Sequence, residues 1–261
     1  MPLNWIDTKK LSFNNLLLLE QVQISWMEGW IPHEPLAIAL SANPVVEWYL
    51  RHKCPQITGW LDEVTSHDPG SQTAESVKLA EQEVMKTIND WLVYAIDPDI
   101  YDSQLFLKWD TGELIRQVDF EGAVVLDIGA GTGRLTFTAA SKASTVYAVE
   151  PVTNLRAYIK GKARRLGFDN IFAVDGLITE IPFQPRFADI TMAGFVFGSD
   201  PEQEIIELER VTRQGGWVIL YPGNVDRDTP AHEALVNHGY RWSRFEAPGD
   251  GLKRSYRKQI T

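Results

Sequence analysis

The run VVLDIGAGTGRL, residues 124–135, decides the fold of this chain. Apolar residues around the acid Asp127 indicate a short buried strand, and glycines follow at positions 129, 131 and 133. Glycine lets the backbone adopt a positive φ and approach a ligand where a side chain would clash. The run therefore predicts a strand, then a ligand-binding loop, then a helix.

Downstream of this run, strand signals and helix signals alternate. The predicted strands are residues 123–128, 145–150, 171–174, 189–193 and 217–221, followed by a hairpin of 240–245 and 254–259 across the turn 248–251. The first two predicted helices are residues 134–142 and 154–166. The third begins at the cap Asp200, with Gln203 in the capping-box position, and ends at Gly215-Gly216, and the last runs from Pro230 to Gly239. This order predicts an α/β fold, a doubly wound, mostly parallel seven-stranded sheet with an antiparallel terminal hairpin.

Upstream, the first 121 residues read as helices. Asn43-Pro44 is a cap and first-turn pair for a helix that ends before Pro55, and residues 66–73 form a polar loop. Apolar positions at helical spacing predict one long helix over residues 74–95, stopped by Asp97-Pro98. We therefore expect two domains: a helical region, 1–121, and a sheet domain, 122–261.

Charge and composition exclude several classes of protein. Residues 1–121 hold 8 Lys and Arg against 19 Asp and Glu, a net charge of −11, whereas residues 122–261 carry +1. Such an acidic chain is an unfavourable partner for nucleic acid. The single cysteine, Cys54, excludes an internal disulfide and a thiolate metal site. With neither a long apolar run nor a signal sequence in view, we expect a cytoplasmic protein without a membrane span and predict no metal ligands.

The glycine loop has one obvious rival interpretation, the dinucleotide fingerprint GxGxxG. Here the third glycine, Gly133, falls one place early, and Arg134 stands where a small residue is needed. Asp127 would also repel a pyrophosphate, but it suits a ligand that carries an ammonium and a sulfonium. S-adenosylmethionine is such a ligand.

Four motifs in order make residues 122–261 resemble a class I S-adenosylmethionine-dependent methyltransferase. They are residues 125–133, the acid Glu150 in VYAVEP, the segment FADITMAGFVFG at 187–198, and ERVTRQGGWVIL at 209–220. At the end of strand two, Glu150 can accept bidentate hydrogen bonds from the two ribose hydroxyls. The chain departs from the common family pattern by two extra residues between Asp175 and Ile181.

The resemblance implies which residues hold the cofactor. It assigns the loop to Asp127, Gly129, Ala130, Gly131 and Gly133, the ribose to Glu150 with Pro151 beside it, the adenine to Asp175, Gly176 and Leu177, and the methionine arm to Gly194 with its neighbours Ala193 and Phe195.

The segment after strand four, Gly194–Gly198, excludes several classes of acceptor. It carries neither the N/D-P-P-Y/F signature for planar amino groups nor a nucleophilic cysteine, and its apolar sequence favours a small or medium-sized molecule. In-line displacement requires alignment more than a catalytic group, and the sequence identifies no base. The five histidines (33, 52, 67, 232 and 238) are scattered, and Tyr221, Asn224 and Asp226 after strand five are better placed by topology.

Several alternatives stay open at this point. The Trp-rich helical half, with Tyr94, Tyr101 and Trp109 nearest the loop, is either a lid that selects the acceptor or a packing layer. Basic runs at 156–165 and 253–258 are solvated faces, docking surfaces or RNA contacts. The rival functions are a non-catalytic S-adenosylmethionine-binding assembly or regulatory protein, a methyltransferase acting on RNA or protein, and a nicotinamide enzyme. The oligomeric state is not predicted.

Overall fold

The structure is a computed structural model that describes residues 5–66, 69–223, 226–247 and 251–261. It divides into two compact units, Met1–Tyr101 and Asp102–Thr261. The sequence places the functional division at 121/122, just before the first strand, whereas the compact units divide earlier. Residues 102–121 belong with the sheet because Trp109, Leu114 and Phe120 are buried in its core. No helix among the described residues is long and apolar enough to cross a bilayer.

The first unit is built of short helices around an apolar core. Its helices are α1 (Gln21–Ser25), α2 (His33–Ala42), α3 (Pro44–Lys53), α4 (Thr58–Thr65), α5 (Ala74–Thr87), α6 (Asn89–Ile96) and α7 (Pro98–Asp102), which runs into the second unit. Single 3-10 turns lie at Thr8–Lys10, Phe13–Leu18 and Pro55–Ile57. Leucines 16, 19, 36, 40, 50 and 61 are fully buried at its centre.

The prediction of one helix over residues 74–95 is wrong, because the helix breaks at Ile88. Ile88 lies at φ −99° and ψ 14°, outside helical geometry, and ends α5 before α6 begins. The next residue, the fully buried Asn89, accepts from Trp5 N–H at 2.8 Å and donates to Ile6 O at 2.9 Å. These long-range bonds fix the start of α6 on the N-terminal segment, which local periodicity cannot show.

Asn43 occupies the predicted cap position of α3 but does not cap it with its side chain. Its amide donates instead to Ala39 O at 2.9 Å and to Glu81 Oε1 at 2.7 Å, and so joins the end of α2 to α5. The start of α3 depends on the Pro44 ring, which fixes φ for the first helical turn.

The second unit contains the sheet. Its strands are β1 (Val124–Ile128), β2 (Thr145–Val149), β3 (Ile171–Val174), β4 (Ala188–Gly194), β5 (Thr212–Tyr221), β6 (Arg241–Ala247) and β7 (Gly251–Gln259). A 3-10 turn, Leu105–Leu107, precedes its helices, which are α8 (Gly112–Gln117), α9 (Arg134–Ala140), α10 (Thr153–Leu166), α11 (Pro201–Val211) and α12 (Pro230–Asn237).

The sheet order is β3-β2-β1-β4-β5-β7-β6. The first five strands are parallel, with Asp127 level with Ala148 on β2 and Met192 on β4, and β7 enters antiparallel between β5 and β6. The predicted fold class, a mostly parallel seven-stranded sheet with an antiparallel terminal hairpin after a helical region, is confirmed. The predicted hairpin turn at 248–251 lies largely outside the described residues.

Two local predictions in this unit are wrong. Gly215-Gly216 does not end α11, because the helix stops at Val211 and both glycines lie inside β5. A Cβ at Gly216 would lie 2.6 Å from Asp189 O, so glycine permits the close approach of β5 to β4 at a bulge. Gln203 is not a capping-box partner either: its side chain donates to Thr179 O, while Glu204 accepts from the Ser199 and Asp200 N–H groups.

Alternate residues of the strands bury both faces of the sheet. Val125, Ile190 and Ile219 pack against α9 and the segment before β1, whereas Leu126, Val218 and Leu220 pack against α11 and α12. Because β1, β2 and β4 are parallel, their carboxyl ends lie along one edge. In folds of this kind ligands bind at that edge.

Candidate cofactor site

The loop after β1 has the geometry that its glycines predict. Gly129, Gly131 and Gly133 all have positive φ, at 66°, 57° and 86°. The N–H groups of Gly129 and Ala130 donate to Val149 O at 2.8 and 3.1 Å, which holds the loop against the end of β2. A Cβ at Gly129 would lie 2.8 Å from the Val196 side chain. This glycine therefore allows the loop after β4 to close on the loop after β1.

Asp127, in the strand that precedes this loop, is buried against α9. The residue is 1% exposed, and its Oδ2 accepts from the Thr136 hydroxyl on α9 at 2.5 Å. Burial raises the pKa of this carboxyl to about 7, against which the hydrogen bonds from Thr136 act only partly. Asp127 is thus a carboxylate that lacks a positive partner among the described residues.

Glu150 ties the loop to the end of β2. Its Oε2 accepts from Gly131 N–H at 2.9 Å, and its Oε1 accepts from Val152 N–H at 2.9 Å. The residue is 4% exposed, and burial raises the pKa of its carboxyl to about 7, with a further contribution from the charge of Asp127. Two buried acids therefore act on each other at the carboxyl ends of neighbouring strands.

Arg156 joins Glu150 to Asp175, a role that the sequence analysis missed. The sequence shows this residue only as one member of a basic helix face, yet its guanidinium donates to Glu150 O at 2.6 Å and to Asp175 Oδ1 at 2.9 Å. The Arg156 side chain is 16% exposed, whereas Asp175 is 74% exposed. Its position, six residues after the acid and on the first turns of α10, is the only sequence signal for this contact.

Gly176 and Leu177, the other residues assigned to the adenine, lie in a turn after β3. A Cβ at Gly176 would come within 2.6 Å of Pro182 Cδ and 2.8 Å of Val149 Cγ1, so close packing requires this glycine. Leu177 bridges to Glu180, whose N–H donates to Leu177 O at 3.2 Å.

The loop after β4 carries a strained aromatic residue. Gly194 ends the strand, and Phe195 follows with φ 62°, a left-handed conformation that non-glycine residues rarely adopt. Phe195 N–H donates to Tyr221 O at 2.8 Å, and its ring lies 5.4 Å from that of Phe106 in an edge-to-face arrangement. Strain of this kind is concentrated at functional sites.

Neither Tyr221 nor Asp226, two of the predicted alternatives for a base, is placed to remove a proton. Tyr221 is 1% exposed in the core beside Trp109, and burial raises the pKa of its hydroxyl. Asp226 binds Arg254 and Arg244, which lower the pKa of its carboxyl. Asn224 and His67 lie outside the described residues.

The described histidines and the aromatic residues predicted as lid candidates contact other side chains of their own units. His33 accepts from Trp60 Nε1 at 3.3 Å, His52 stacks on Trp48, His232 contacts Tyr256 and Arg254, and His238 contacts Glu202. Tyr94 and Tyr101 form an edge-to-face pair within the first unit, and Trp109 is a core residue of the second. Within the described part of the chain, no cluster of three or more His, Cys, Asp or Glu side chains is arranged to hold a metal ion.

Residues 126–220 match the family model described as a methyltransferase domain. The second unit therefore contains a methyltransferase domain of the S-adenosylmethionine-dependent kind. The chain is similar to an uncharacterized methyltransferase of Geobacillus sp. strain WCH70, with 29% identity over 52% of this chain and 62% of that protein. A second relative, an uncharacterized methyltransferase of Geobacillus thermodenitrificans, is 29% identical over 60% of this chain and 73% of its own length.

Among solved structures, this chain is similar in fold to a chain of the complex between the Haloferax volcanii Trm112 methyltransferase activator and a methyltransferase. The TM-score is 0.53 at 12% identity, over 66% of this chain and 96% of the other. The family match begins inside β1 and ends inside β5, so it contains the glycine loop, Glu150 and the loop after β4. The present chain spans less than two thirds of the Geobacillus sp. WCH70 relative.

Proposed function

We propose that this methyltransferase transfers a methyl group from S-adenosylmethionine to a small or medium-sized acceptor by direct in-line displacement. One observation carries the proposal: two buried carboxylates, Asp127 and Glu150, lie at the carboxyl ends of β1 and β2 beside a loop of three positive-φ glycines. Bound there, S-adenosylmethionine supplies an electrophilic methyl group on a positively charged sulfur.

The charge of these acids favours a cationic ligand. Burial raises the pKa of each carboxyl to about 7, and for Glu150 the nearby Arg156 offsets this only partly. Each carboxylate is therefore stabilised further when a positive ligand approaches. An ammonium or sulfonium nearby favours the charged form of both acids, whereas a pyrophosphate would oppose it. The pair therefore discriminates against a nicotinamide dinucleotide.

We assign the parts of the cofactor to residues as the resemblance implies. Glu150 accepts from the ribose hydroxyls, because each of its oxygens uses one acceptor position for a backbone N–H and keeps another. Asp175 reaches the adenine amino group with Oδ2, since Arg156 occupies Oδ1. Gly129, Ala130, Gly131 and Gly133 face the methionine arm, and Asp127 attracts it by charge from its buried position behind the loop. Pro151, Gly176, Leu177 and Gly194 border the site.

The loop after β4 supports an apolar or aromatic acceptor. Phe195 is 37% exposed and lies against Phe106, so an aromatic surface stands where β4 ends. With Tyr221 neutral and Asp226 held in ion pairs, this site is suited to a nucleophile that needs no proton removed in the transfer step. Alignment of the nucleophile with the methyl–sulfur bond is then the main contribution of the protein.

Calorimetry and turnover together test the proposal. We expect S-adenosylhomocysteine to bind far more tightly than NAD, and tighter binding of NAD would refute the cofactor assignment. Incubation with S-adenosylmethionine and a size-fractionated cell extract should release S-adenosylhomocysteine with the small-molecule fraction. Turnover with the RNA or protein fraction alone would overturn the acceptor class, and binding without turnover in any fraction would indicate a regulatory or assembly protein.

A further inference from the structure

A cavity of about 460 Å³ opens within the second unit on the α9 side of the sheet. Its lining combines two acids, two bases and two aromatic rings, namely Asp102, Asp110, Arg134, Lys162, Trp109 and Phe137. Arg134 begins α9 and directly follows Gly133, the last glycine of the cofactor loop. The cavity therefore adjoins the cofactor loop, but none of its lining residues is assigned to the cofactor.

The guanidinium of Arg134 lacks an ion-pair partner among the described residues. Its Nε is buried and has no hydrogen-bond partner within that part of the structure. Its Cζ lies 4.8 Å from the centre of the Trp109 ring, a cation–π arrangement that orients the guanidinium plane. Burial lowers the pKa of Arg134 to about 10, so the group remains charged at neutral pH although water solvates it poorly.

The acids near Arg134 are bound to other groups. Both oxygens of Asp102 accept from Lys162 Nζ, at 3.0 and 2.8 Å, and Oδ2 also accepts from the Tyr158 hydroxyl. Asp110 accepts from Gly112 N–H at 2.8 Å and from Arg116. Lys162 pairs with Asp102, and Arg116 pairs with both Asp110 and Glu113. Among the charged residues that line the cavity, Arg134 is therefore the base without an ion-pair partner in the described part of the chain.

Trp109 fixes the position of this charge. The ring is 3% exposed and packs at 4.8 Å from the Tyr221 ring, at the end of β5, and at 5.2 Å from the Phe245 ring. Because the core holds Trp109, the stacked guanidinium is pre-organised, and a planar anion can bind it without rearrangement of the wall.

We propose that this cavity binds a carboxylate, which pairs with Arg134 beside Trp109. The proposal rests on the proposed function, because a carboxylate at this place comes either from the methionine arm of the cofactor or from an acidic acceptor. Arginine recognises carboxylates through two parallel N–H donors, which suits the flat shape of this group. Arg134 is then a binding residue that the glycine-loop motif does not assign.

Arg134→Gln removes the charge, and Arg164→Gln is the matched control, because Arg164 lies exposed in the last turn of α10. The first arm measures binding of S-adenosylhomocysteine and of 5′-methylthioadenosine, which lacks the amino-acid carboxylate. The second arm follows the Nε–H resonance of Arg134 in ¹⁵N-arginine-labelled protein while benzoate is added. Arg134→Gln identifies the resonance by its loss, and thermal melting checks that both variants fold.

A cofactor source predicts that Arg134→Gln weakens S-adenosylhomocysteine binding by about 10- to 100-fold, the usual loss for hydrogen bonds to a charged group, and leaves methylthioadenosine binding unchanged. An acceptor source predicts unchanged binding of both nucleosides and a benzoate-dependent shift of the Arg134 resonance. Equal binding in all proteins together with an unshifted resonance would overturn the proposal. Absence of nucleoside binding to the wild type would refute the proposed function, and the benzoate arm would still decide on the cavity.

Discussion

Replacement of Asp127 by asparagine should stabilise the cofactor-free protein and weaken cofactor binding. Asparagine has nearly the same shape, and its Oδ1 can still accept from the Thr136 hydroxyl. The wild-type carboxyl has a pKa of about 7 in place of its ordinary 3.8. This difference corresponds to about 4 kcal/mol of free energy by which ionisation of Asp127 opposes folding above neutral pH.

The sign follows from the raised pKa. Below pH 3.8 the carboxyl is neutral in the folded and the unfolded chain, so asparagine brings no advantage. As pH rises through the window from 3.8 to about 7, only the unfolded chain ionises freely, and wild-type stability falls. Asparagine loses one of the two hydrogen bonds that Thr136 donates, which offsets part of this free energy. At pH 8 we therefore expect Asp127→Asn to stabilise the second unit by about 1–3 kcal/mol, and the gain should disappear toward pH 4.

Hydrogen exchange measured by mass spectrometry suits this test, because it reports on β1 separately from the helical unit. The comparison of mutant with wild type at pH 5, 6, 7 and 8 cancels the intrinsic pH dependence of exchange. Asp169→Asn, an exposed position in the same unit, is the control and should change nothing. A stability difference between mutant and wild type that does not change with pH, or a less stable mutant at pH 8, would refute the interpretation that the ionised Asp127 destabilises the cofactor-free protein.

Three further substitutions test other parts of the structure. Glu150→Ala removes the acceptor for the Gly131 and Val152 N–H groups and should raise the Kd for S-adenosylhomocysteine by at least about tenfold, as measured by calorimetry; an unchanged Kd would remove Glu150 from the site. Phe195→Gly relieves the strain of the positive φ and should stabilise the second unit by about 1 kcal/mol in thermal unfolding, while turnover falls. A loss of stability would show that the packing of the ring outweighs the backbone strain. Asn89→Leu leaves the Trp5 and Ile6 backbone groups unsatisfied and should destabilise the first unit by about 2–3 kcal/mol in urea titration, with no effect on hydrogen exchange in β1.

The sequence predicts the sheet well because each strand is short, apolar and followed by its own turn or helix signal. The positive φ of the loop glycines and the position of Glu150 at the end of β2 also follow from the sequence, whereas their role toward a cofactor stays a prediction. The predictions that proved wrong concern elements whose ends are fixed by distant residues. Ile88 interrupts a continuous apolar periodicity because Asn89 binds a segment more than eighty residues earlier, and β5 continues through two glycines because β4 bulges beside it.

The site was predicted less completely than the fold. The order of residues cannot show that Asp127 is buried behind its loop, because its environment is made by α9 and by the strands on either side. Arg156 resembled any other base on an amphipathic helix until the structure placed its guanidinium between the end of β2 and the turn after β3. Whether the acidic helical unit forms a lid stays a prediction, as does the class of the acceptor.

The two buried acids also distinguish the rival cofactors by the pH dependence of binding. A net positive ligand lowers the pKa of Asp127 and Glu150, so its binding releases protons, and its affinity must rise as pH increases toward about 7. A dinucleotide, whose pyrophosphate is negative, raises both pKa values, takes up protons on binding and must lose affinity as pH increases beyond about 7. S-adenosylmethionine should therefore gain affinity from pH 5.5 to 7.5 more steeply than S-adenosylhomocysteine, which lacks the sulfonium charge. Equal slopes for the two ligands would mean that the acids do not sense the sulfonium, and a falling slope for both would return the site to the nicotinamide enzymes.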